Sequence, residues 1–441
     1  MPPIELPNGT HFDDIVKLKN TTDIGNQLNI IIAKIAEANG SQGVIDVADF
    51  NNEDKLGKGK EMVERLSNLV GIFEPLDMSA NGIDGDDLLG DAYEYLMKHF
   101  ATESGKSKGQ FYTPAEVSRI MAKIIGIDPN STSSVTVYDP TCGSGSLLLK
   151  AVSVANNSLS IYGQEKDVAT ASLAIMNMIL HANETAEIRT GNTLSAPAFI
   201  ENRRLKTFDF AVANPPFSSK NWTSGLNPAN DEFERFAYGI PPEKNGDYAF
   251  LLHLLKSLKS TGKGAIILPH GVLFQGNAES VIRKELLKQG MIKGIIGLPA
   301  NLFYGTGIPA CIIVIDKEHA QVAQIDDDDQ IIAGRSVFMI DASGDFIKDG
   351  NKNRLQEKDI HKIVDTFIHQ KTIAHYSRLV SLQEIASQDY NLNLPCYITS
   401  GQADDMQDLH AHLLGGIPAD DIDNLAEFWQ VLTRLKDELL S

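Results

Sequence analysis

Apolar positions recur at helical spacing in three stretches near the N-terminus. Ile24, Leu28, Ile31, Ile32 and Ile35 mark 21–38; Met62, Val63, Leu66, Leu69 and Val70 mark 61–73. Leu88, Leu89, Ala92, Tyr93, Leu96 and Phe100 mark 84–100. Each spacing predicts an amphipathic helix, and together they predict a helical N-terminal domain over 1–104. From residue 105 the pattern changes. Short β-rich runs at 135–138, 160–163, 186–190 and 208–212 each end in a polar or glycine-bearing turn, and the first two lead straight into a helix. Strand, turn and helix in repetition predict an open α/β sheet, Rossmann-like, whose ligands sit at the carboxyl ends of the strands. Further helices are expected at 247–258 and 278–288, and further strands at 265–268, 291–298, 310–316 and 337–341. The α/β domain is therefore expected over 105–345. From 346 to 441 the chain reads as a helical region. Its last helix, 422–440, carries Leu425, Phe428, Trp429, Leu432, Leu435 and Leu439, a face suited to docking on its own domain or on a partner.

The first strand runs into Asp139-Pro140-Thr141-Cys142-Gly143-Ser144-Gly145-Ser146. Gly143 and Gly145 let backbone approach a ligand closely. Neither the spaced glycines of a dinucleotide fingerprint nor a Gly-Lys-Ser/Thr phosphate loop is present, so a pyrophosphate grip is not expected. Asp139 can instead pair with a cationic group. Cys142 reads as a small packing residue, since no base is paired with it. Glu165, at the end of the second strand, suits the two hydroxyls of a ribose. Gly191 and Asn192 close the third strand. Upstream, Gln110-Phe111-Tyr112-Thr113-Pro114 precedes a helix, with Thr113 placed to cap it and Pro114 at its first position.

The fourth strand ends abruptly at Asn214-Pro215-Pro216-Phe217. Two successive prolines stiffen this corner and hold the Asn214 side-chain oxygen and the Pro215 carbonyl in fixed directions. Phe217 adds a flat apolar face. Two acceptors beside a ring suit a planar group with an exocyclic amine, such as adenine. Binding the amine hydrogens favours the charge that develops on nitrogen as it attacks. A cation anchor, a ribose-binding acid and this corner together describe S-adenosylmethionine with its methyl group facing the corner. The polar stretch 218–245, with Trp222, Phe233, Phe236 and Tyr238, reads as a long loop beside the site. Its aromatics suit either base stacking or anchoring of the loop. His270, in Leu268-Pro269-His270-Gly271, reads as structural, since attack by an amine needs no strong base.

Composition bears on partners. The 441 residues, 42% apolar and 22% charged, suit a soluble protein of two or three domains. No stretch approaches a membrane span, no secretory signal opens the chain, and no membrane role is expected. Cys142, Cys311 and Cys396 are scattered, without disulfide or zinc spacing, as in a reducing cytosol; no metal is expected. The net charge of −19 argues against tight unaided binding to duplex DNA, whose affinity rests on phosphate neutralisation. A nucleic-acid role would require a DNA-reading partner.

The motifs GQFYTP, DPTCGSG, GQEKD, VANPPF and LPHGVLF, in that order, resemble the modification (M) subunit of type I restriction-modification systems. The resemblance runs from about 84 to about 397. It implies an S-adenosylmethionine-dependent methyltransferase domain acting on the N6 of adenine in duplex DNA. It also implies that Gln110, Phe111, Tyr112, Thr113 and Pro114, with Asp139, Thr141, Gly143, Ser144, Gly145 and Ser146, contact the methionine part of the cofactor. Glu165 would hold the ribose and Asn192 the adenine edge. Asn214, Pro215, Pro216 and Phe217 would receive the flipped base. Asn192 stands where the family often has Asp, and an amide still accepts and donates. The resemblance further implies a separate specificity (S) subunit that reads DNA, a restriction (R) subunit that can join, two M subunits per complex, and a cytoplasmic, nucleoid-associated setting. The C-terminal region would dock the specificity subunit. The helical leader is shorter than is usual in the family, as expected of a truncated or divergent member.

Two rivals share part of this pattern. An amino-methyltransferase acting on a protein glutamine or a ribosomal RNA guanine would use the same corner without a DNA-reading subunit. A non-catalytic scaffold would bind the cofactor and position a partner.

Overall fold

The computed structural model describes residues 5–75 and 113–399, apart from 44, 182, 184, 304, 305, 329 and 351. The helix expected at 84–100, the Gln110-Phe111-Tyr112 segment and the terminal helix at 422–440 lie outside the described residues. By chain contacts the molecule divides into units at Met1–Ile398 and Thr399–Ser441, and the first contains everything discussed below.

Near the N-terminus, α1 (Ile24–Ala38) and α2 (Lys60–Phe73) form as the apolar periodicity predicts. They bury Ile24, Leu28 and Leu66 in a small cluster of their own. The α/β unit follows in chain order: α3 (Ala115–Ile124), β1 (Thr136–Asp139), α4 (Ser146–Val152), β2 (Ser160–Glu165), α5 (Val168–Leu180), β3 (Glu187–Thr190) and β4 (Phe208–Ala213). Next come α6 (Asp247–Lys256), β5 (Leu258–Pro269), α7 (Ala278–Lys288), β6 (Ile292–Gly297), β7 (Ala310–Asp316) and β8 (Val337–Asp341). The described chain closes with α8 (Glu357–Ile368), β9 (Ser377–Val380) and α9 (Leu382–Ser387).

These nine strands form one sheet in the order β9-β8-β6-β7-β5-β4-β1-β2-β3. From β3 through β5 all pairings are parallel. β7 lies antiparallel to both its neighbours, β8 runs parallel to β6, and β9 closes the edge antiparallel to β8. These strands being parallel, the carboxyl ends of β1, β2, β3 and β4 lie along one rim, and the strand order reverses between β1 and β4, where a crevice opens.

Alternation builds the two layers. Val137, Val212, Ala265, Ile267 and Ile312 face one core, covered by α3, α4, α5 and α8. Their neighbours Tyr138, Ala211, Ala213, Ile266, Leu268 and Ile313 face the other, covered by α6, α7 and α9. Successive side chains of a strand point to opposite faces, so a sheet covered on both sides reads as a continuous apolar run. β7, ACIIVID, is buried at every residue. The outer strand β3 is instead mostly exposed and charged, which blunts its free edge.

Three local expectations change. β5 begins at Leu258, directly after α6, and not at 265. Its pairing with β4 jumps from Phe208↔Leu258 to Phe210↔Lys263, so the Gly262 turn is a bulge inside the strand. Thr113 does not cap α3. Pro114 occupies the cap position with an extended ψ of 133°, and its carbonyl accepts the amides of Val117 and Ser118. The stretch from 346 is not all helical: it contributes β9 to the sheet, and Glu357 of α8 pairs with Arg119 of α3. Among the described residues, no helix is long and apolar enough to cross a membrane.

Candidate functional site

A cleft of roughly 340 Å³ opens at the carboxyl ends of the central strands. Its walls come from four separate turns. Pro140 and Thr141 follow β1, Glu165 ends β2 with Lys166 and Asp167 after it, Gly191 to Thr193 follow β3, and Asn214, Pro216 and Ser219 follow β4. Phe250 of α6 completes the lining. Sequence reasoning singled out Thr141, Glu165, Asn192, Asn214 and Pro216, and the fold brings all five to this one space.

The turn after β1 is built around its acids. Asp139 is buried, and its Oδ1 accepts the Thr141 N–H at 2.8 Å. Burial pushes its carboxyl up to about 8, the Thr141 bond opposes that, and the nearby Glu165 carboxylate adds to it. Glu165 accepts the Gly143 amide on Oε2 at 3.1 Å and the Asp167 amide on Oε1 at 2.9 Å. Burial raises its carboxyl as well, although both amides pull the other way. Glu165 thus ties the first and second turns together. Each of its oxygens keeps acceptor capacity for a further donor.

Gly145 caps α4 in the left-handed region at φ +80°, and a Cβ there would stand 2.7 Å from Met178 Cε. The Met178 methyl ends a flexible side chain and could give way, so it is the positive φ that favours glycine here. Ser144 and Ser146 are buried behind the cleft with their hydroxyls 3.0 Å apart, and the Asn177 amide donates to the Ser144 carbonyl at 2.9 Å. They brace the turn; they do not line the space. Cys142 is buried, its amide on the Gln164 carbonyl at 3.0 Å, and burial pushes the thiol well up, which suits a packing role.

After β3, Asn192 Oδ1 accepts the Leu194 amide at 3.1 Å, so the side chain shapes its own turn. The Thr193 hydroxyl donates to the Pro140 carbonyl and binds this turn to the first. After β4, Pro215 is buried and Asn214 is half-buried. The Asn214 amide nitrogen donates to the Thr113 hydroxyl at 3.1 Å, which leaves Oδ1 as the amide's acceptor. Phe217 lies outside the cleft lining. Its ring is half-buried and meets Phe303 edge-on, 5.6 Å between centroids.

The loop at 218–245 is anchored. Trp222, Phe233 and Phe236 are buried. Arg235 pairs with Asp231 at 2.6 Å with both side chains almost wholly buried, and it donates to the Leu194 carbonyl at 2.8 Å. Arg235 also reaches His253 Nδ1 at 3.3 Å. An arginine has no acceptor, so this ring nitrogen is unprotonated; burial and then the Arg235 charge hold the imidazole well below its usual range. Its Nε2–H then faces Tyr138 Oη at 3.2 Å. His270 is not part of the cleft wall. Its backbone amide sits on the Pro309 carbonyl, and burial lowers its imidazole.

Phe250, Ser219, Pro140, Thr193 and Lys166 were not singled out by sequence. Phe250 sits in the apolar stripe of α6, where spacing alone does not separate a core residue from a cleft residue.

The sequence profile of the N-6 DNA Methylase family matches residues 84–406. Over 366 residues the chain is 34% identical to the type I restriction enzyme MpnII methylase subunit of Mycoplasma pneumoniae, covering 80% of this chain and 65% of that one. Over 411 residues it is 31% identical to the MjaVII methylase subunit of Methanocaldococcus jannaschii, covering 88% and 65%. The chain therefore spans just under two thirds of the length of these relatives. A crystal structure of a type I restriction-modification methyltransferase subunit from Streptococcus thermophilus superposes with a TM-score of 0.78 at 34% identity, over 90% of this chain and 82% of that one. With that match spanning the sheet and the rim that carries the cleft, the chain belongs to the N-6 DNA Methylase family.

Proposed function

We propose that this chain is the methylation subunit of a type I restriction-modification complex and transfers a methyl group from S-adenosylmethionine to the N6 of an adenine flipped out of duplex DNA. The observation that carries the reading is the shared cleft: Thr141, Glu165 and Asn192 line the same space as Asn214 and Pro216. The donor set suits the cofactor. Glu165 has acceptor capacity for a ribose diol, Asn192 offers an amide at the cleft wall, and two acids, the buried Asp139 and the half-buried Glu165, favour a cationic ligand.

When bound, S-adenosylmethionine supplies an electrophilic sulfonium methyl whose bond to sulfur breaks, the electron pair staying on sulfur, as the amine nitrogen bonds the carbon. The chain supplies orientation and polarity. Thr113 holds the Asn214 amide so that Oδ1 can accept one amine hydrogen. The Pro215 carbonyl accepts the other, and both stabilise the charge growing on nitrogen. The lost proton leaves to solvent. Phe217 stacks on the extruded base, and aromatic stacking returns about 1–3 kcal/mol of the few spent on extrusion.

The net charge of −19 argues for a separate specificity subunit as the DNA reader; in this reading a restriction subunit can join and two methylation subunits sit in each complex. The relatives' description as subunits of type I restriction enzymes supports work in a complex. The test is radiolabelled methyl transfer from S-adenosylmethionine to DNA, RNA and protein, with the chain alone and with its specificity subunit. Label on adenine N6 of DNA is expected. Label on protein or RNA alone would overturn the reading.

A further inference from the structure

The catalytic corner ends on a residue held in an unfavourable backbone conformation. Ser218, directly after Phe217, has φ +51°, a region that residues other than glycine occupy only when their surroundings hold them there. Its backbone N–H donates to Asp247 Oδ1 at 2.7 Å, the length of a charge-assisted bond. Asp247 is buried and is the first residue of α6; burial pushes its carboxyl up to about 6, while the hydrogen bonds from the Ser218 amide and from Asn245 pull the other way. Its own amide rests on Asn245 Oδ1 at 3.1 Å.

The residue before it locks the same junction from the other side. The Gly246 amide donates to the Ser219 carbonyl at 3.0 Å, and a Cβ on Gly246 would stand 2.6 Å from Trp222 Cβ. The first turn of α6 therefore grips two consecutive residues after the corner, Ser218 and Ser219. One turn further along the same helix, Phe250 lines the cleft. A single helix start bears on both the corner and the space it faces.

Resting on the methyltransferase reading, we propose that Asp247 is a positioning residue for the Asn214–Phe217 corner: its carboxylate holds the Ser218 amide and so fixes the direction in which the corner presents its acceptors. It does not touch substrate. Its action passes through the backbone from Ser218 to Phe217. A displacement of about 1 Å at such a corner costs on the order of 100-fold in rate, so the effect falls on turnover and not on cofactor affinity.

Three variants test this in the full chain assembled with the DNA-reading subunit that wild-type transfer requires. Asp247→Asn keeps an acceptor at the same place, Asp247→Ala removes it, and Asp247→Glu keeps the charge at the helix start but moves the oxygens by a methylene. Methyl transfer is measured below each variant's melting midpoint, and S-adenosylhomocysteine affinity is measured by calorimetry. The expected result is Asp247→Asn within about threefold of wild-type kcat, with Asp247→Ala and Asp247→Glu lower by about 30- to 100-fold and affinity unchanged in all three. Should Asp247→Ala not fold, the Asn and Glu pair decides. Wild-type kcat in Asp247→Glu, or a loss of affinity in step with kcat, overturns the proposal. A wild-type complex that transfers no methyl group to DNA overturns the methyltransferase reading and this one with it.

Discussion

The Asn214 side-chain amide donates to the Thr113 hydroxyl at 3.1 Å, joining residues 101 positions apart. Thr113 precedes α3 and Asn214 follows β4, so the start of a covering helix orients the tip of a central strand. Removing Asn214 should remove an acceptor that acts on charge developing in the transition state. We expect Asn214→Ala to lower methyl transfer by about 100- to 1,000-fold, with S-adenosylhomocysteine affinity within twofold. Thr113→Val leaves the amide free to turn and loses one hydrogen bond, worth about 0.5–1.5 kcal/mol, or roughly 2- to 12-fold in kcat. Thr113→Ser should restore it. Wild-type methylation by Asn214→Ala would sink the assignment of the corner.

Much of this fold is legible in the residues. β7 is an apolar run from Ala310 to Ile315 because both faces of the sheet are covered, and Asn214-Pro215-Pro216 announces a rigid corner wherever it falls. Other features depend on distant partners. Thr113 before Pro114 has the local look of a cap, yet its hydroxyl serves Asn214 and Pro114 takes the cap. Phe250 fits the apolar stripe of α6, and only the approach of the turns after β1 to β4 makes it a cleft wall. β9, a four-residue edge strand with two exposed or half-exposed positions, lies among helical signals too strong for it to stand out. The loop aromatics Trp222, Phe233 and Phe236 suited two roles equally until their burial selected anchoring.

Glu165 carries two loads. It accepts amides from Gly143 and Asp167, and it lines the cleft. Hydrogen bonds to a charged group contribute about 1.5–3 kcal/mol. Glu165→Gln should therefore weaken S-adenosylhomocysteine binding by about 10- to 150-fold, with kcat at saturating cofactor far less affected. Isothermal titration measures the first and radiolabel transfer the second. Binding equal to wild type would remove Glu165 from the ligand-holding set.

The Asp231–Arg235 pair is a stability matter. Both side chains are nearly fully buried, and Arg235 also serves the carbonyls of Thr193 and Leu194 beside Asn192. Deleting one member strands the other charge, at a cost of about 3–5 kcal/mol. We expect Arg235→Met to destabilise by that amount in urea unfolding. The double change Asp231→Leu with Arg235→Met should recover part of the loss, because no buried charge is then left alone. A single variant within 1 kcal/mol of wild type would show that solvent reaches the pair.

We expect Asp139 to couple ligand binding to pH. Its carboxyl is pushed from an ordinary value of 3.8 up to about 8, mainly by burial. A raised value means that the folded state prefers the neutral acid. That contribution to stability is full below about pH 4 and is lost as pH rises towards 8. Asp139→Asn abolishes the titration, so its stability relative to wild type should grow across the same window, read as a widening gap in melting temperature. Binding runs in the opposite sense. A cationic ligand favours the carboxylate, so at pH 7 binding expels a proton that free Asp139 holds. We expect S-adenosylmethionine affinity to rise with pH up to about 8, by at most tenfold per unit for one proton. Calorimetry at pH 7 in two buffers of different ionisation enthalpy should show release of up to one proton, absent in Asp139→Asn. Equal enthalpies in the two buffers for wild type would mean that Asp139 does not change its protonation on binding, and the proposed coupling between its titration and the cationic ligand would fail.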